Sequence, residues 1–176
     1  LRPPNIKSII DANPGVSTWT GKELPLGYLD WWPVCLGFNN LEPPFDDPEV
    51  RRAVNHAIDR EQLVKIGWQG AGTSSYLPLP NFPPIRNYTD GIQDLIDKYE
   101  IGVYDPAKTA EILQRKGWSK DGEGFWSKGG ERLTMVVDIF GIFNDLAPVL
   151  VAQLKQAGVD ASFRLTSDTF TRMAQG

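Results

Sequence analysis

The feature that most constrains this chain is a strand–helix–strand pattern near its carboxyl end. Residues 133–139 and 159–165 each carry an apolar side chain at every second position, which is the period of a strand. Between them, residues 145–157 place apolar side chains at helical spacing and end at Gly158, a typical residue just beyond a helix. Because the links are short, the two strands are expected to run parallel with a right-handed crossover. The pattern therefore predicts an α/β fold.

A second helix is predicted from an Asp-Pro pair in the first half of the chain. Asp47 is a good N-cap, and Pro48 suits the first helical position because its missing N–H would be unpaired there in any case. Asp59, with Gln62 three residues later, predicts a new helix over residues 60–66. The predicted core face consists of Val50, Ala53, Val54, Ala57 and Ile58, and the predicted solvated face of Arg52, Asn55, His56 and Asp59.

Three further elements follow from local patterns. Residues 34–38 alternate as a short strand, and Asp105 with Pro106 opens a helix that ends at Gly117. Two glycine-bearing turns within residues 121–130 flank a Phe-Trp pair and predict a hairpin. The side chains expected to point inward from the Asp105 helix are Ala107, Ala110 and Leu113.

The chain is long enough for one α/β lobe, residues 1–176, with two parts. Residues 1–32 are interrupted by Gly and Pro and are predicted to be an irregular, aromatic-rich segment, whereas residues 33–176 form the α/β body. The 17 glycines and 14 prolines in the whole chain predict long loops.

Aromatic side chains in the irregular segment are the candidate ligand contacts. They lie outside any amphipathic stripe and offer large stacking faces with a polar edge, which suits peptide side chains or sugar rings. The competing interpretation is that they pin a loop-rich segment to the core. The four candidates are Trp19, Tyr28, Trp31 and Trp32.

Composition excludes several kinds of function. The formal net charge of −4 leaves no basic surplus for nucleic-acid phosphates, so no nucleic-acid partner is expected. A single Cys and a single His are too few for a zinc site built on thiolates and imidazoles. Cys35 is expected to be buried in its strand and His56 to be solvated, which argues against a catalytic dyad. We predict no catalytic residue, no metal site and no cofactor.

Several segments together carry a family resemblance. Asp47, Val50-Arg51, Ala53 and the run Ala57-Ile58-Asp59-Arg60 match a motif of the extracytoplasmic solute-binding proteins that serve peptide- and nickel-type ABC importers. The strand that ends at Asn39 and the lead-in Pro43-Pro44-Phe45 resemble the residues before that motif. The chain is therefore identified as similar to solute-binding protein family 5, over most of the second lobe.

The resemblance implies a periplasmic-binding-protein type II fold, in which a mixed sheet has flanking helices and long Pro/Gly-rich loops. It implies a binding function without catalysis, in which a peptide or related solute is enclosed between this lobe and a first lobe and delivered to an ABC permease. It also implies a periplasmic or extracytoplasmic location, with a membrane tether in a Gram-positive cell. The motif residues implied to be structural are Asn39, Asp47, Arg51, Asp59 and Arg60.

Two alternatives stay open at this point. An oligosaccharide is an alternative ligand for the same fold, because the six tryptophans of the chain provide faces for sugar stacking. An alternative of another class is a lobe of a glycoside hydrolase, which requires two carboxylates converging in one cleft. The sequence singles out no such pair, because Asp46, Asp47, Asp59 and Asp105 are all explained as helix caps.

Overall fold

The computed structural model describes residues 3–26, 33–79 and 83–175. None of the helices in these ranges is long and apolar enough to cross a membrane. The α-helices are α1 Pro3–Ala12, α2 Pro48–His56, α3 Arg60–Gln62, α4 Pro83–Asp90, α5 Gln93–Lys98, α6 Pro106–Arg115, α7 Ala147–Ala157 and α8 Thr169–Gln175, with a π-helix at Leu63–Gly67 and a 3-10 helix at Gly141–Phe143. The strands are β1 Ser119–Lys120, β2 Trp126–Lys128, β3 Glu131–Arg132, β4 Thr134–Ile139 and β5 Asp160–Leu165.

The chain divides into two compact units that are each built from separate stretches of sequence. Unit 1 consists of Leu1–Cys35 and Arg60–Gly102, and unit 2 consists of Leu36–Asp59 and Val103–Gly176. This division differs from the predicted boundary between residues 32 and 33, because the segment after Asp59 clusters with the amino-terminal part of the chain. The periodicity of the sequence cannot predict that these two separate stretches group together, because it describes only the residues within one element.

The predicted strand–helix–strand unit is confirmed in unit 2. Strands β4 and β5 pair in parallel, with Thr134 opposite Asp160 and Ile139 opposite Leu165, and α7 connects them. Gly158 follows α7 with φ +94°, in the left-handed region that favours glycine. Strands β1, β2 and β3 form a separate antiparallel sheet, which confirms the predicted hairpin. The fold is therefore α/β, with parallel and antiparallel pairs.

Trp126 joins the antiparallel sheet to the end of α7. Its ring is 2% exposed, and its indole N–H donates to the carbonyl of Ala157 at 2.8 Å. Its backbone N–H donates to the carbonyl of Gly158, also at 2.8 Å. A Cβ at Gly158 would lie 3.0 Å from the indole, so any larger residue would push the two elements apart. The glycine is needed here for close approach as well as for its positive φ.

Helices α2 and α6 pack together in unit 2, and both begin at the predicted Asp-Pro pairs. Asp47 accepts from the N–H of Glu49, and Asp105 accepts from the N–H groups of Ala107 and Lys108. All five residues of the predicted α2 core face are buried. The inward face of α6 differs from the prediction, because Thr109 and Ile112 join Leu113 in the core, whereas Ala107 is exposed and Ala110 half-buried.

Four further features depart from the sequence-based expectations. Residues 34–38 form no strand, since no described segment pairs with them, and α1 occupies part of the segment expected to be irregular. Helices α4 and α5 were not predicted, because their short, mostly polar sequences have little apolar periodicity. Phe163 and Leu165 share the alternating face of β5 but are 41% and 57% exposed.

A cluster of charges holds the carboxyl end of the parallel pair. Asp138 on β4 accepts two hydrogen bonds from Arg164 on β5, at 2.7 and 2.9 Å, and one from Arg172 on α8 at 2.8 Å. The hydrogen bond from Arg164, followed by that from Arg172, holds the pKa of Asp138 below its usual value despite partial burial. The cluster thereby joins β4, β5 and α8.

We expect the stabilisation from this cluster to be lost in acid. Because the pKa of Asp138 is lower in the folded state, the unfolded state takes up the proton first as the pH falls below about 4, and the free energy of unfolding then decreases. Asp138→Asn should cost about 1 kcal/mol at pH 7 and flatten this acid slope, as measured by urea unfolding between pH 3 and 7. An unchanged slope in the variant would contradict the assignment.

Candidate functional site

The one described aromatic candidate, Trp19, lies at the tip of a tight turn in unit 1. The backbones of Thr18 and Gly21 exchange two hydrogen bonds across the turn, at 2.9 and 3.0 Å, and Gly21 has φ +69°. The hydroxyl of Thr20 donates to the carbonyl of Glu23 at 2.7 Å and accepts from the N–H of Leu26 at 3.1 Å. These bonds fix the backbone on both sides of Trp19.

The indole of Trp19 is 86% exposed. The expectation that a tryptophan of this segment pins a loop to the core is therefore wrong for Trp19. An exposed ring on a fixed turn can bind a ligand without a large loss of backbone entropy. Tyr28, Trp31 and Trp32 lie outside the described residues, so their assignment as ligand contacts stays a prediction.

Two family-motif residues of unit 2, Asn39 and Arg51, form hydrogen bonds with backbone groups before α2. Asn39 accepts from the N–H of Leu41 at 3.0 Å, which closes a turn before α2. The guanidinium of Arg51 donates to the carbonyls of Phe45 and Asp46 at 2.6 and 3.1 Å, so it holds the lead-in segment against its own helix.

Asp47 has two roles at the start of α2. One carboxyl oxygen caps the helix through the N–H of Glu49 at 2.9 Å, and the other forms an ion pair with Lys116, just beyond α6. The hydrogen bond from Lys116 is the main cause of the lowered pKa of Asp47. The motif aspartate therefore links the amino end of α2 to the carboxyl end of α6.

The last two motif residues lie where the chain passes from unit 2 to unit 1. The backbone N–H of Asp59 donates to the side chain of Gln153 at 3.1 Å, and the side-chain amide of Gln153 donates to the carbonyl of Asp59, also at 3.1 Å. Arg60 begins α3 and is half-buried, and burial lowers the pKa of its guanidinium. These contacts agree with a structural role for the motif.

The predicted burial of Cys35 and the predicted exposure of His56 are both wrong. Cys35 is exposed, because the strand expected to bury it does not form. His56 is 1% exposed, and its Nδ1 lies 2.9 Å from the carbonyl of Val103. The segment around Val103 packs on the side of α2 that carries His56. The spacing of residues within α2 cannot predict this contact with a distant segment. The two residues belong to different units.

Two buried polar residues of unit 2 that no sequence pattern indicated also bind backbone. Thr109 and Gln153 are buried, and both donate to backbone carbonyls far away in sequence, those of Ala53 and Asp59. Within residues 3–26, 33–79 and 83–175, no group of three or more Cys, His, Asp or Glu side chains could hold a metal ion.

Comparison with known proteins defines the class. The profile of the bacterial extracellular solute-binding proteins, family 5 (middle part), matches residues 2–176. The chain therefore belongs to that family of binding proteins, and it is a fragment of a member.

Individual relatives agree with this assignment. Heme-binding protein A of Haemophilus influenzae is 34% identical over 126 residues, which cover 70% of this chain and 20% of that protein. The oligopeptide-binding protein AppA of Bacillus subtilis is 29% identical over 136 residues, covering 75% of this chain and 24% of its own length. The chain thus spans about a fifth to a quarter of these relatives.

Solved structures show the same fold. A periplasmic oligopeptide-binding protein of Thermotoga maritima superimposes with a TM-score of 0.74 at 22% identity, over 95% of this chain and 31% of that one. The mannohexaose-bound form from the same organism has a TM-score of 0.72 at 20% identity, over 93% and 30% of the two chains. AppA in complex with a nonapeptide has a TM-score of 0.62 at 27% identity, over 78% and 27%.

We expect Asp47→Ala to destabilise the protein. The variant loses the cap of α2 and the ion pair with Lys116, so the free energy of unfolding should fall by about 1–2 kcal/mol. Urea unfolding at pH 7 measures this loss. Asp46→Ala is the matched control, because the Asp46 side chain is exposed and its backbone carbonyl can still accept from Arg51. Equal losses in both variants would contradict the capping role.

Proposed function

We propose that the protein containing this chain is the extracytoplasmic solute-binding component of an ABC importer and that its ligand is a peptide. The observation that carries the proposal is the family match over residues 2–176. It is supported by relatives named for binding oligopeptides and dipeptides. The chain contributes most of the second lobe, the first lobe of the parent chain closes over the ligand, and the closed form delivers the ligand to the membrane permease.

A peptide is favoured over an oligosaccharide by the sequence comparisons. The AppA structure with bound nonapeptide is 27% identical to this chain, whereas the mannohexaose-bound neighbour is 20% identical and supports the fold alone. The protein is proposed to act outside the cytoplasm, tethered to the membrane if the cell is Gram-positive, as the extracellular family suggests.

Binding without turnover is the proposed mechanism. Two of the aspartates expected to be helix caps, Asp47 and Asp105, do cap α2 and α6. The pKa values of the carboxyl groups of Asp47, Glu49, Asp121 and Asp138 are lowered, whereas a glycosidase acid needs a raised pKa. Affinity would come from contacts that the ligand makes better in the closed form.

The test of function is a titration of the full-length protein, followed by its tryptophan fluorescence. We expect a saturable change with short peptides, and recovery of the peptides intact by mass spectrometry. Mannohexaose and heme form separate arms of the experiment. Saturation by either of these alone would overturn the peptide assignment, and cleavage of a bound ligand would overturn binding without turnover.

Trp19 is the proposed ligand contact within the described residues, with Tyr28, Trp31 and Trp32 proposed beside it. We expect Trp19→Ala to weaken peptide binding about ten-fold, the effect of losing one aromatic contact, and to leave the unfolding midpoint nearly unchanged because the ring is exposed. Isothermal titration calorimetry with the best peptide measures the affinity.

Tyr88→Ala provides the matched control, because Tyr88 is an aromatic residue of the same unit and is 77% exposed. Its affinity should equal that of the unmodified protein. If Trp19→Ala also binds with unchanged affinity, Trp19 is not a ligand contact, while the binding function itself stands.

A further inference from the structure

The chain leaves unit 2 after Asp59 and returns to it at Val103. Both points lie beside the carboxyl end of α2, since His56 ends that helix and contacts Val103 directly. The intervening segment, residues 60–102, belongs to unit 1.

The exit point is held by Gln153 of α7. This side chain is 6% exposed, and it forms one hydrogen bond with the N–H and another with the C=O of the same residue, Asp59. A side-chain amide has one acceptor group and one donor group, so it satisfies both backbone groups of one residue. Gln153 lies 94 positions from Asp59 in sequence.

The return point is held by His56. A carbonyl oxygen can only accept, so the imidazole donates its Nδ1–H to Val103. On the other side, the N–H of Asp105 donates to the carbonyl of His56 at 2.8 Å. Residues 103–105 are thus joined to residue 56 by one side-chain and one backbone bond.

We propose that Gln153 and His56 are positioning residues that hold the backbone at Asp59 and at Val103, the two points at which the chain leaves and re-enters unit 2. A leucine or methionine could fill either buried position without the cost of burying a polar group. The polar side chains are explained by the backbone groups that they bind. This role goes beyond solute binding and does not depend on any ligand.

The first test is hydrogen exchange in the full-length protein, followed by mass spectrometry. Gln153→Met keeps the length of the side chain but removes both hydrogen bonds, so exchange of the Asp59 amide should rise about ten-fold. The exchange of Val137 in β4 should stay the same, because a local loss does not unfold the sheet. Gln156→Met, on the same helix but exposed, is the matched control and should change neither amide.

A second variant tests the bond to the carbonyl. Gln153→Glu can still accept from the Asp59 N–H, but an ionised carboxylate cannot donate to the Asp59 carbonyl and repels it, so exchange at Asp59 should rise at least as much as in Gln153→Met. If exchange at Asp59 is unchanged in both variants, or if Val137 exchanges faster by the same factor as Asp59, Gln153 does not act as a positioning residue.

The second test concerns His56 and uses limited proteolysis of the full-length protein. His56→Leu should raise the rate of cleavage within residues 60–102 several-fold, because the return point is released. His56→Asn should restore the rate, since an asparagine amide can place an N–H close to the position of Nδ1–H. Equal cleavage in the two variants, or faster cleavage in residues 103–175 as well, would overturn the proposal for His56.

Discussion

The structure of unit 2 depends on satisfying the backbone groups at the carboxyl end of α2. The last four carbonyls of a helix have no partner within it, and here the end of the helix is buried. The partners are the Thr109 hydroxyl for Ala53, the N–H of Ala57 for Val54, the N–H of Ile58 for Asn55 and the N–H of Asp105 for His56. Two of these four donors come from the segment that contains α6. The carboxyl end of α2 therefore contacts the beginning of α6, and the Asp47–Lys116 ion pair joins the beginning of α2 to the end of α6.

In the same way, hydrogen bonds of Trp126 hold the two sheets against the end of α7. Its indole and backbone N–H groups bind the two carbonyls that end α7, and its own carbonyl accepts from Leu133, just before β4. One residue therefore aligns the hairpin, the helix and the parallel pair. Because Gly158 lacks a Cβ, the indole can approach the helix end closely.

Three residues of the family motif contribute to these contacts of unit 2. Arg51, Asp47 and Asp59 all contact backbone groups or a neighbouring helix around α2. The relatives of the chain are named for binding different ligands: heme, glutathione, dipeptides and oligopeptides. Trp19, in contrast, lies on a hydrogen-bonded turn of unit 1 and its side chain is exposed.

The sequence by itself determined the elements whose signals are local. The caps at Asp47 and Asp105, the core face of α2 and the parallel pair β4–β5 follow from Asp-Pro starts and from periods of 3.6 and 2. Only the tertiary structure decided that His56 is buried, that Gln153 binds Asp59, that residues 60–102 cluster with the amino-terminal segment and that residues 34–38 form no strand. These outcomes depend on long-range contacts, in which a segment distant in sequence packs against a side chain or provides its hydrogen-bond partner. The residue pattern within one helix or strand does not indicate which distant segment that will be.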